Sequence, residues 1–497
     1  MGTYIDRKRP SIPVRLFRVP DSNPLADAAR RALRELVRLS SVTDPLANRF
    51  ADAGHRLYLV GGPVRDALLG RECDDLDFTT DARPEEILAI VKALGATWTT
   101  GIAFGTVGVR VDGHACEITT FRTDAYDADS RKPRVDYGDT IEGDLERRDF
   151  AVNSMAVALP LDAAHPIVDP YGGLDDLLHR VLRTPGPPER SFDDDPLRML
   201  RAARFVAQLG FTVDPPARAA IAAMAPRLAI VSAERIRDEL VKLILAPYPR
   251  QGLEVLVDTG LIEFCLPEVG KLTETVDEHR RHKDVYAHTL TVLEQAMALE
   301  DDGPDLVLRL AALLHDIGKP KTKSIEAGGK VSFHHHEVVG ASMTKQRLAA
   351  LKFPKDTIES TARLVELHLR FHGYAGGTWT DSAVRRYVRD AGPLLDRLHK
   401  LTRSDCTTRN ARKAKALANA YDSLERRIAE LAEQEDLARI RPDLDGNEIM
   451  RELDLAPGPL VGEAYQHLLS LRLEHGPLGH DEALAELRKW AAARHLP

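Results

Sequence analysis

Apolar residues recur at helical spacing between Pro24 and Phe50 (Ala28, Leu33, Leu36, Val37, Leu39). The spacing predicts one helix there, behind an arm rich in Pro, Arg and Asp over residues 1–23. The pattern then shortens. Arg56-Leu57-Tyr58-Leu59-Val60 is an apolar strand running into Gly61-Gly62, with a helix pattern from Pro63. Leu76-Asp77-Phe78-Thr79-Thr80 reads as a second strand, and Ala82-Arg83-Pro84-Glu85-Glu86 opens a helix with proline in its first turn. Residues 106–111 and 114–121 alternate on either side of Asp112-Gly113, which predicts a hairpin. Arg122 to Gly143 is polar and predicts a flexible loop. From about residue 144 nearly everything reads helical, without heptads or repeats. The expected fold is α+β: a small mixed α/β head followed by a long all-α neck and body. The expected divisions are 1–50 (arm and helix), 51–175 (head), 176–270 (helical neck), 271–410 (a histidine-bearing helical domain) and 411–497 (helical tail).

Composition narrows the class. The 497 residues are 43% hydrophobic and 29% charged, which excludes global disorder. No apolar run approaches the roughly 18–20 residues of a membrane helix. The opening Met1-Gly2-Thr3-Tyr4-Ile5-Asp6-Arg7-Lys8-Arg9-Pro10 lacks the apolar core of a signal peptide. The four cysteines, Cys73, Cys116, Cys265 and Cys406, form no CxxC pair, so a reducing cytoplasm is the expected compartment. The net charge of −8 means that any nucleic-acid contact must use a local basic patch.

Candidate chemistry begins in the head. Gly61 and Gly62, between a strand and a helix, let a phosphate approach backbone N–H groups, and Arg65 adds a charge in the first turn. Asp75 and Asp77 share one face of a strand, so together they can hold Mg²⁺, a hard cation that takes oxygen ligands. Glu117, on the hairpin, is either a third acid or a solvated strand residue. Arg148, Asp149 and Asn153 read as helical, with Asp149 and Asn153 on one face; they either contact a nucleotide or cap and brace that helix. Asp195 before Pro196 suits a helix start, and Arg198, Arg201 and Arg204 then stack at i, i+3 and i+6, facing either a polyanion or solvent.

Taken in order, Gly-Gly-Pro-Val-Arg-Asp (61–66), Asp-Leu-Asp-Phe-Thr-Thr (75–80) and Arg-Arg-Asp-Phe-Ala-Val-Asn-Ser-Met-Ala (147–156) resemble the bacterial class II tRNA nucleotidyltransferases. These are the CCA-adding enzymes, to which bacterial poly(A) polymerases are related. The likeness continues through Tyr171-Gly172-Gly173-Leu174-Asp175-Asp176-Leu177, Asp194-Asp195-Pro196-Leu197-Arg198 and Ser232-Ala233-Glu234-Arg235, covering about residues 50–270. It implies a nucleotidyltransferase head in which Asp75 and Asp77 are catalytic and bind Mg²⁺. It implies that Gly61, Gly62, Arg65, Arg148, Asp149, Asn153, Arg201 and Arg204 hold the nucleotide, and that Asp195 and Arg198 read its base. Asp194 stands where the family usually has Glu. The implied reaction adds CCA to tRNA 3′ ends from CTP and ATP. A poly(A) polymerase or an enzyme adding only A is the alternative, but Gly105-Thr106-Val107-Gly108-Val109 lacks the basic run of the polymerases.

The body carries a second constellation: His288, His315-Asp316, His336, His368 and Asp405. It resembles the HD superfamily of metal-dependent phosphohydrolases. The resemblance implies a metal at His288, His315, Asp316 and Asp405, either Mg²⁺ or a divalent transition metal, with His336 and His368 for a second ion. A further alternative makes this module the working enzyme and the head a sensor of RNA or nucleotide. Arg131, Lys132 and Arg134, with Lys400, Arg403, Arg409, Arg412 and Lys413, form the candidate RNA surface.

Overall fold

The computed structural model describes residues 24–125, 134–161, 167–275, 285–326, 331–371, 380–407, 410–435 and 440–496. They form two units: the residues up to Arg198 with Gly210–Ala220, and Met199–Leu209 with the chain from Ile221 onward.

In the first unit the expected single helix is two, α1 (Pro24–Arg38) and α2 (Ser40–Asp52). The break falls at Leu39, whose ψ of 0° leaves the helical range, and the Ser40 hydroxyl donates to the Val37 carbonyl. The strands follow as β1 (Leu57–Val60), β2 (Asp75–Thr80), β3 (Thr97–Trp98), β4 (Thr106–Val111), β5 (His114–Thr120), β6 (Arg122–Ala125), β7 (Arg134–Tyr137), β8 (Ala156–Leu159) and β9 (Ile167–Val168). Seven of them make one sheet in the order β3-β4-β5-β2-β1-β8-β9. β2 and β5 run parallel and every other neighbouring pair is antiparallel. The β4–β5 turn uses Asp112 (φ 47°) and Gly113 (φ 82°), the left-handed pair that a two-residue hairpin needs. Leu57, Leu59, Leu76, Phe78, Val107, Val109, Cys116 and Ile118 are buried, while Asp75, Asp77 and Glu117 are exposed.

Two expectations are corrected here. The polar segment after Arg122 is not all loop: β6 and β7 pair as an antiparallel ribbon, and Ile141–Glu146 is a helix capped by Thr140. The chain after residue 144 is not all helix either, because β8 lies beside β1 and completes the sheet with β9. Ala156-Val157-Ala158-Leu159 is a continuous apolar run, which periodicity cannot assign to helix or strand.

The helix Leu197–Leu209 begins in the first unit and continues in the second. Apart from a short antiparallel ribbon of Ser324–Ile325 with Val331–Ser332, the second unit is helical, with the helices Val285–Met297, Leu306–Leu314, His336–Ala350, Lys355–Leu367, Asp381–Ala391 and Leu395–Ser404 among them. A long helix, Ala411–Gln434, precedes three more in the tail, whose own core includes Leu444, Ile449, Leu468, Leu487 and Trp490. A buried carboxylate joins the tail to the preceding helices: Glu435 accepts Arg385 Nε at 2.8 Å and Arg472 Nη1 at 2.6 Å.

Candidate active site and metal centre

The helix α3 (Gly62–Leu69) starts directly off β1. Gly61 takes φ 74°, a left-handed backbone that favours glycine, and a Cβ there would lie 2.7 Å from Arg148 Nη1, so the guanidinium would have to shift. Arg65 is buried and donates Nη1 to Asn153 Oδ1 at 2.6 Å, while Nε and Nη2 go to Asp66. Asn153 Nδ2 donates to Asp149 Oδ1 at 2.9 Å, and that oxygen also accepts the Phe150 N–H. The structure thus gathers Gly61, Gly62, Arg65, Arg148, Asp149 and Asn153. It does so without the expected helix: Phe150 is extended (φ −135°, ψ 147°), and a short 3₁₀ turn over Ala151–Asn153 brings Asn153 back to Asp149. The result is a cationic rim on backbone N–H groups at a strand-to-helix turn, suited to an anion.

On the neighbouring strand, Asp75 and Asp77 point to the same face, and Asp77 sits in register with Glu117 of β5. Among the described residues, neither Asp75 nor Asp77 takes a hydrogen bond or ion pair through its carboxylate. Loss of water raises the Asp77 carboxyl even though its edge is exposed; Arg148 pulls it down, Glu117 and Asp75 push it up, and it settles at about 6. Unpartnered carboxylates under mutual repulsion fit a hard divalent cation.

Asp144 organises the ground between these groups, and sequence reasoning did not single it out. Its carboxylate is fully buried. Oδ1 accepts Arg147 Nε and Nη2 at 3.0 and 2.8 Å and the Arg122 N–H at 3.3 Å; Oδ2 accepts Arg148 Nη2 at 3.2 Å. Burial opposes its charge, but Arg147 and Arg148 hold its carboxyl below the usual range. The signal available was an acid three and four residues before a pair of arginines.

The Arg147 carbonyl in turn accepts Arg198 Nη2, while Arg198 Nη1 donates to Ser191. Arg198 lines a cavity of about 90 Å³ with Asp194, Ser191 and Arg147. Asp195 Oδ1 accepts the Leu197 N–H at 3.1 Å, so this residue also caps the helix that carries Arg198. In the second unit, Arg204 is buried against Glu239 and Gln208, and Arg201 lies 3.7 Å from Glu239.

The histidines and aspartates of the second unit converge in two sets: His288, His315 and Asp405, and Asp316, His336 and His368, each set with its ligand atoms within 4.8 Å of one another. Asp316 touches both. Its Oδ2 is 3.2 Å from His315 Nε2 and 3.6 Å from His288 Nε2, and its Oδ1 is 3.3 Å from His336 Nε2. Lys319 Nζ also reaches Oδ2 at 2.8 Å. The Nδ1 atoms of His315, His336 and His368 bond the carbonyls of Ala312, Phe333 and Val365. Their Nε2 atoms are buried without a well-aligned hydrogen bond, those of His315 and His336 facing the Asp316 carboxylate. Such atoms suit metal ligation, since the bonded Nδ1 fixes the ring. His288 differs in using a side chain, the Thr407 hydroxyl at 3.0 Å from Nδ1, which sequence reasoning missed. Burial and the positive His315 drive His368 down to about 3. Burial also lowers His315, but Asp316 and Asp405 outweigh it and take that ring to about 9.

Of the candidate RNA contacts, Arg131, Lys132 and Arg409 lie outside the described residues, and Arg134 is placed by its backbone in β7. Lys400 is held by Asp301 and Asp396, and Arg403 by Asp422 and Glu425. Arg412 and Lys413 are exposed at the start of the long helix.

Comparison with known proteins bears on all of this. Residues 57–183 match the poly A polymerase head domain, 210–272 the probable RNA and SrmB-binding site of polymerase A, and 285–434 the HD domain. An A-adding tRNA nucleotidyltransferase of Deinococcus radiodurans is 36% identical over 442 residues, 87% of this chain and 95% of that one. A CCA-adding enzyme of Lactobacillus johnsonii is 42% identical over 220 residues, 44% of this chain and 54% of that one. The crystal structure of the Bacillus stearothermophilus CCA-adding enzyme in complex with CTP superposes with a TM-score of 0.66 at 26% identity, covering 92% of this chain and 98% of that one.

Proposed function

The chain belongs to the tRNA nucleotidyltransferase family, and from that membership we propose that it adds CCA to the 3′ end of tRNA, using CTP and ATP and releasing pyrophosphate. One observation carries the reading: two unpartnered carboxylates, Asp75 and Asp77, stand one strand away from the cationic turn of Gly61, Gly62, Arg65 and Arg148.

Asp75 and Asp77 would hold Mg²⁺, which supplies Lewis-acid stabilisation of the reacting phosphate. Gly61 and Gly62 admit the triphosphate to the backbone, and Arg65 and Arg148 take up its charge, with Asp149 and Asn153 bracing Arg65. The tRNA 3′-hydroxyl attacks the α-phosphate in line, and pyrophosphate leaves on the arginine side. Asp195 and Arg198 read the base. Cytosine and adenine each present an amine beside an unprotonated ring nitrogen. A carboxylate accepts from the first and a guanidinium donates to the second; guanine and uracil reverse both partners. Arg198 keeps Nε–H for this purpose, since its described bonds use Nη1 and Nη2.

The histidine centre would hold a divalent cation on His288, His315 and Asp405, and a second on Asp316, His336 and His368, for hydrolysis of a phosphoester. Of the candidate RNA contacts, Arg412 and Lys413, exposed at the start of the long helix, are the pair proposed to meet the RNA backbone. Among the described residues no helix is long and apolar enough to cross a membrane; the proposed compartment is the cytoplasm, where tRNA is matured.

A second reading, addition of the final A alone, is the activity for which the relative matched over 95% of its length is named. One experiment separates the two. tRNA transcripts lacking three, two or one terminal nucleotides are incubated with Mg²⁺ and each NTP, singly and mixed, and sized on a gel. CCA addition gives two steps with CTP alone and a third when ATP joins. Extension solely of the transcript ending in CC, with ATP, establishes the second reading. A long ladder with ATP alone makes the protein a poly(A) polymerase, and no extension under any condition leaves the head a sensor.

A further inference from the structure

On the catalytic face of the sheet, residues in register across neighbouring strands point the same way. Asp77 of β2 faces Glu117 of β5, and Glu117 faces Gly108 of β4. The next partner is Trp98 of β3, paired with Gly108. Its indole lies directly on that glycine: a Cβ on Gly108 would sit 1.8 Å from Trp98 Cε2 and 2.2 Å from Nε1. Gly108 is therefore buried beneath the ring, while the indole itself is only partly buried. Two strand spacings separate Gly108 from Asp77, roughly 10 Å.

The order of strands gives this ring a role. The anion-binding turn of Gly61, Arg65 and Arg148 lies on the β1 side of Asp75 and Asp77. In an in-line displacement the attacking and leaving oxygens occupy opposite sides of the phosphorus. With pyrophosphate departing over β1, the attacking hydroxyl arrives over β5 and β4, the ground on which the indole lies.

We propose that the Trp98 indole, seated on Gly108, is the stacking platform for the 3′-terminal nucleoside of the tRNA. The proposal rests on the reading that tRNA is the acceptor, and it names where on the head the acceptor end is held. The chemistry suits the task. During CCA synthesis the acceptor's terminal base is whatever precedes the CCA at the first step and C at the next two, so a site that recognised one base by hydrogen bonds would fail for the other. Stacking tolerates every base, because each has a π-face. Glu117, between the indole and Asp77, lies along the path from the stacked base to the metal carboxylates.

The test compares the full-length wild type with W98A and W98F. An aromatic ring from the edge strand β3 over a glycine of its neighbour also fills a structural gap, so W98F, which keeps a ring there, separates stacking from loss of fold. W98A raises KM for tRNA roughly 5- to 100-fold, the range for loss of one base stack, and leaves KM for CTP and ATP within about twofold. W98F recovers most of the loss. Trp98 also reports on itself: an acceptor stem with an unpaired 3′ nucleotide quenches wild-type fluorescence more than that of W98F, and a blunt stem gives no such difference. Unchanged tRNA KM in W98A overturns the proposal. So does a rise confined to the nucleotide KM, or a loss that follows melting temperature and is not restored in W98F. If the wild type extends no tRNA, the underlying reading fails, and the fluorescence difference still decides whether Trp98 meets an RNA end.

Discussion

Replacing Asp144 by Asn tests the link between the nucleotide turn and the base-reading arginine. The substitution keeps Oδ1, which accepts Arg147 and the Arg122 N–H, and puts an amide NH₂ where Oδ2 accepted Arg148 Nη2 at 3.2 Å. Donor then meets donor, and Arg148 is released while Arg147, and through its carbonyl Arg198, stays in place. A hydrogen bond between charged groups is worth about 1.5–3 kcal/mol, so KM for both CTP and ATP should rise roughly 10- to 100-fold. Discrimination against GTP and UTP should persist. Breaking a buried ion pair costs about 3–5 kcal/mol; retention of Oδ1 and the partial exposure of both arginines favour the lower end. For a unit of this size that corresponds to a fall in melting temperature of about 6–12 °C. The pH dependence fixes the cause. The folded-state carboxyl is held below its ordinary 3.8, so its stabilisation is present above that value and is lost as pH falls through the folded-state value. Wild type and D144N should differ fully at pH 7 and converge in acid. Calorimetry and steady-state kinetics read both effects. Equal melting temperatures at pH 7, or a loss of base selectivity with unchanged KM, would refute the assigned contacts.

Three further outcomes follow from the geometry. D77N should lower nucleotide addition by at least ~10³-fold while sparing metal uptake by the histidine centre. Because the Asp77 carboxyl is raised to about 6, the metal-free variant should also melt higher than wild type above pH 6 and match it below the ordinary carboxylate value; equal melting at pH 8 would contradict this. Loading the histidine centre with Mn²⁺ should raise its melting temperature, and chelation reverse it, because the buried Nε2 atoms gain partners; with His315 near 9, uptake at pH 7.5 should release protons, seen as a heat that varies with buffer in titration calorimetry. T407V should weaken metal binding about 10-fold by freeing His288, with T407S restoring it; identical affinity in T407V would remove Thr407 from the centre.

The sequence displayed the catalytic strand because a period of two is visible in Asp75-Leu76-Asp77-Phe78, and the hairpin because Asp112-Gly113 demands left-handed backbone. It hid β8, whose unbroken apolar run carries no period. It misled at Arg148–Asn153, where spacings of one and four fit a helix and a 3₁₀ turn alike, so the gathering of these side chains was legible but the backbone that achieves it was not. The histidine ligands were readable as residue types. Their division into two sets, with Asp316 between them, depends on which helices face one another, and no local pattern encodes that. Asp144 and Thr407 act through other side chains and look like ordinary polar residues until the fold brings their partners to them.

The Arg385–Glu435–Arg472 cluster sets where this chain can be cut. The HD likeness ends at residue 434, one position short of the shared carboxylate. A fragment ending there would keep Arg385 buried and remove the charge that answers it, together with the Leu473 carbonyl it also reaches. The tail would lose its half as well, since Arg472 leans on the same glutamate. Sequence homology and this buried cluster thus draw different borders here: a piece that keeps Arg385 answered must extend past Glu435, and one that keeps the whole cluster must reach Arg472.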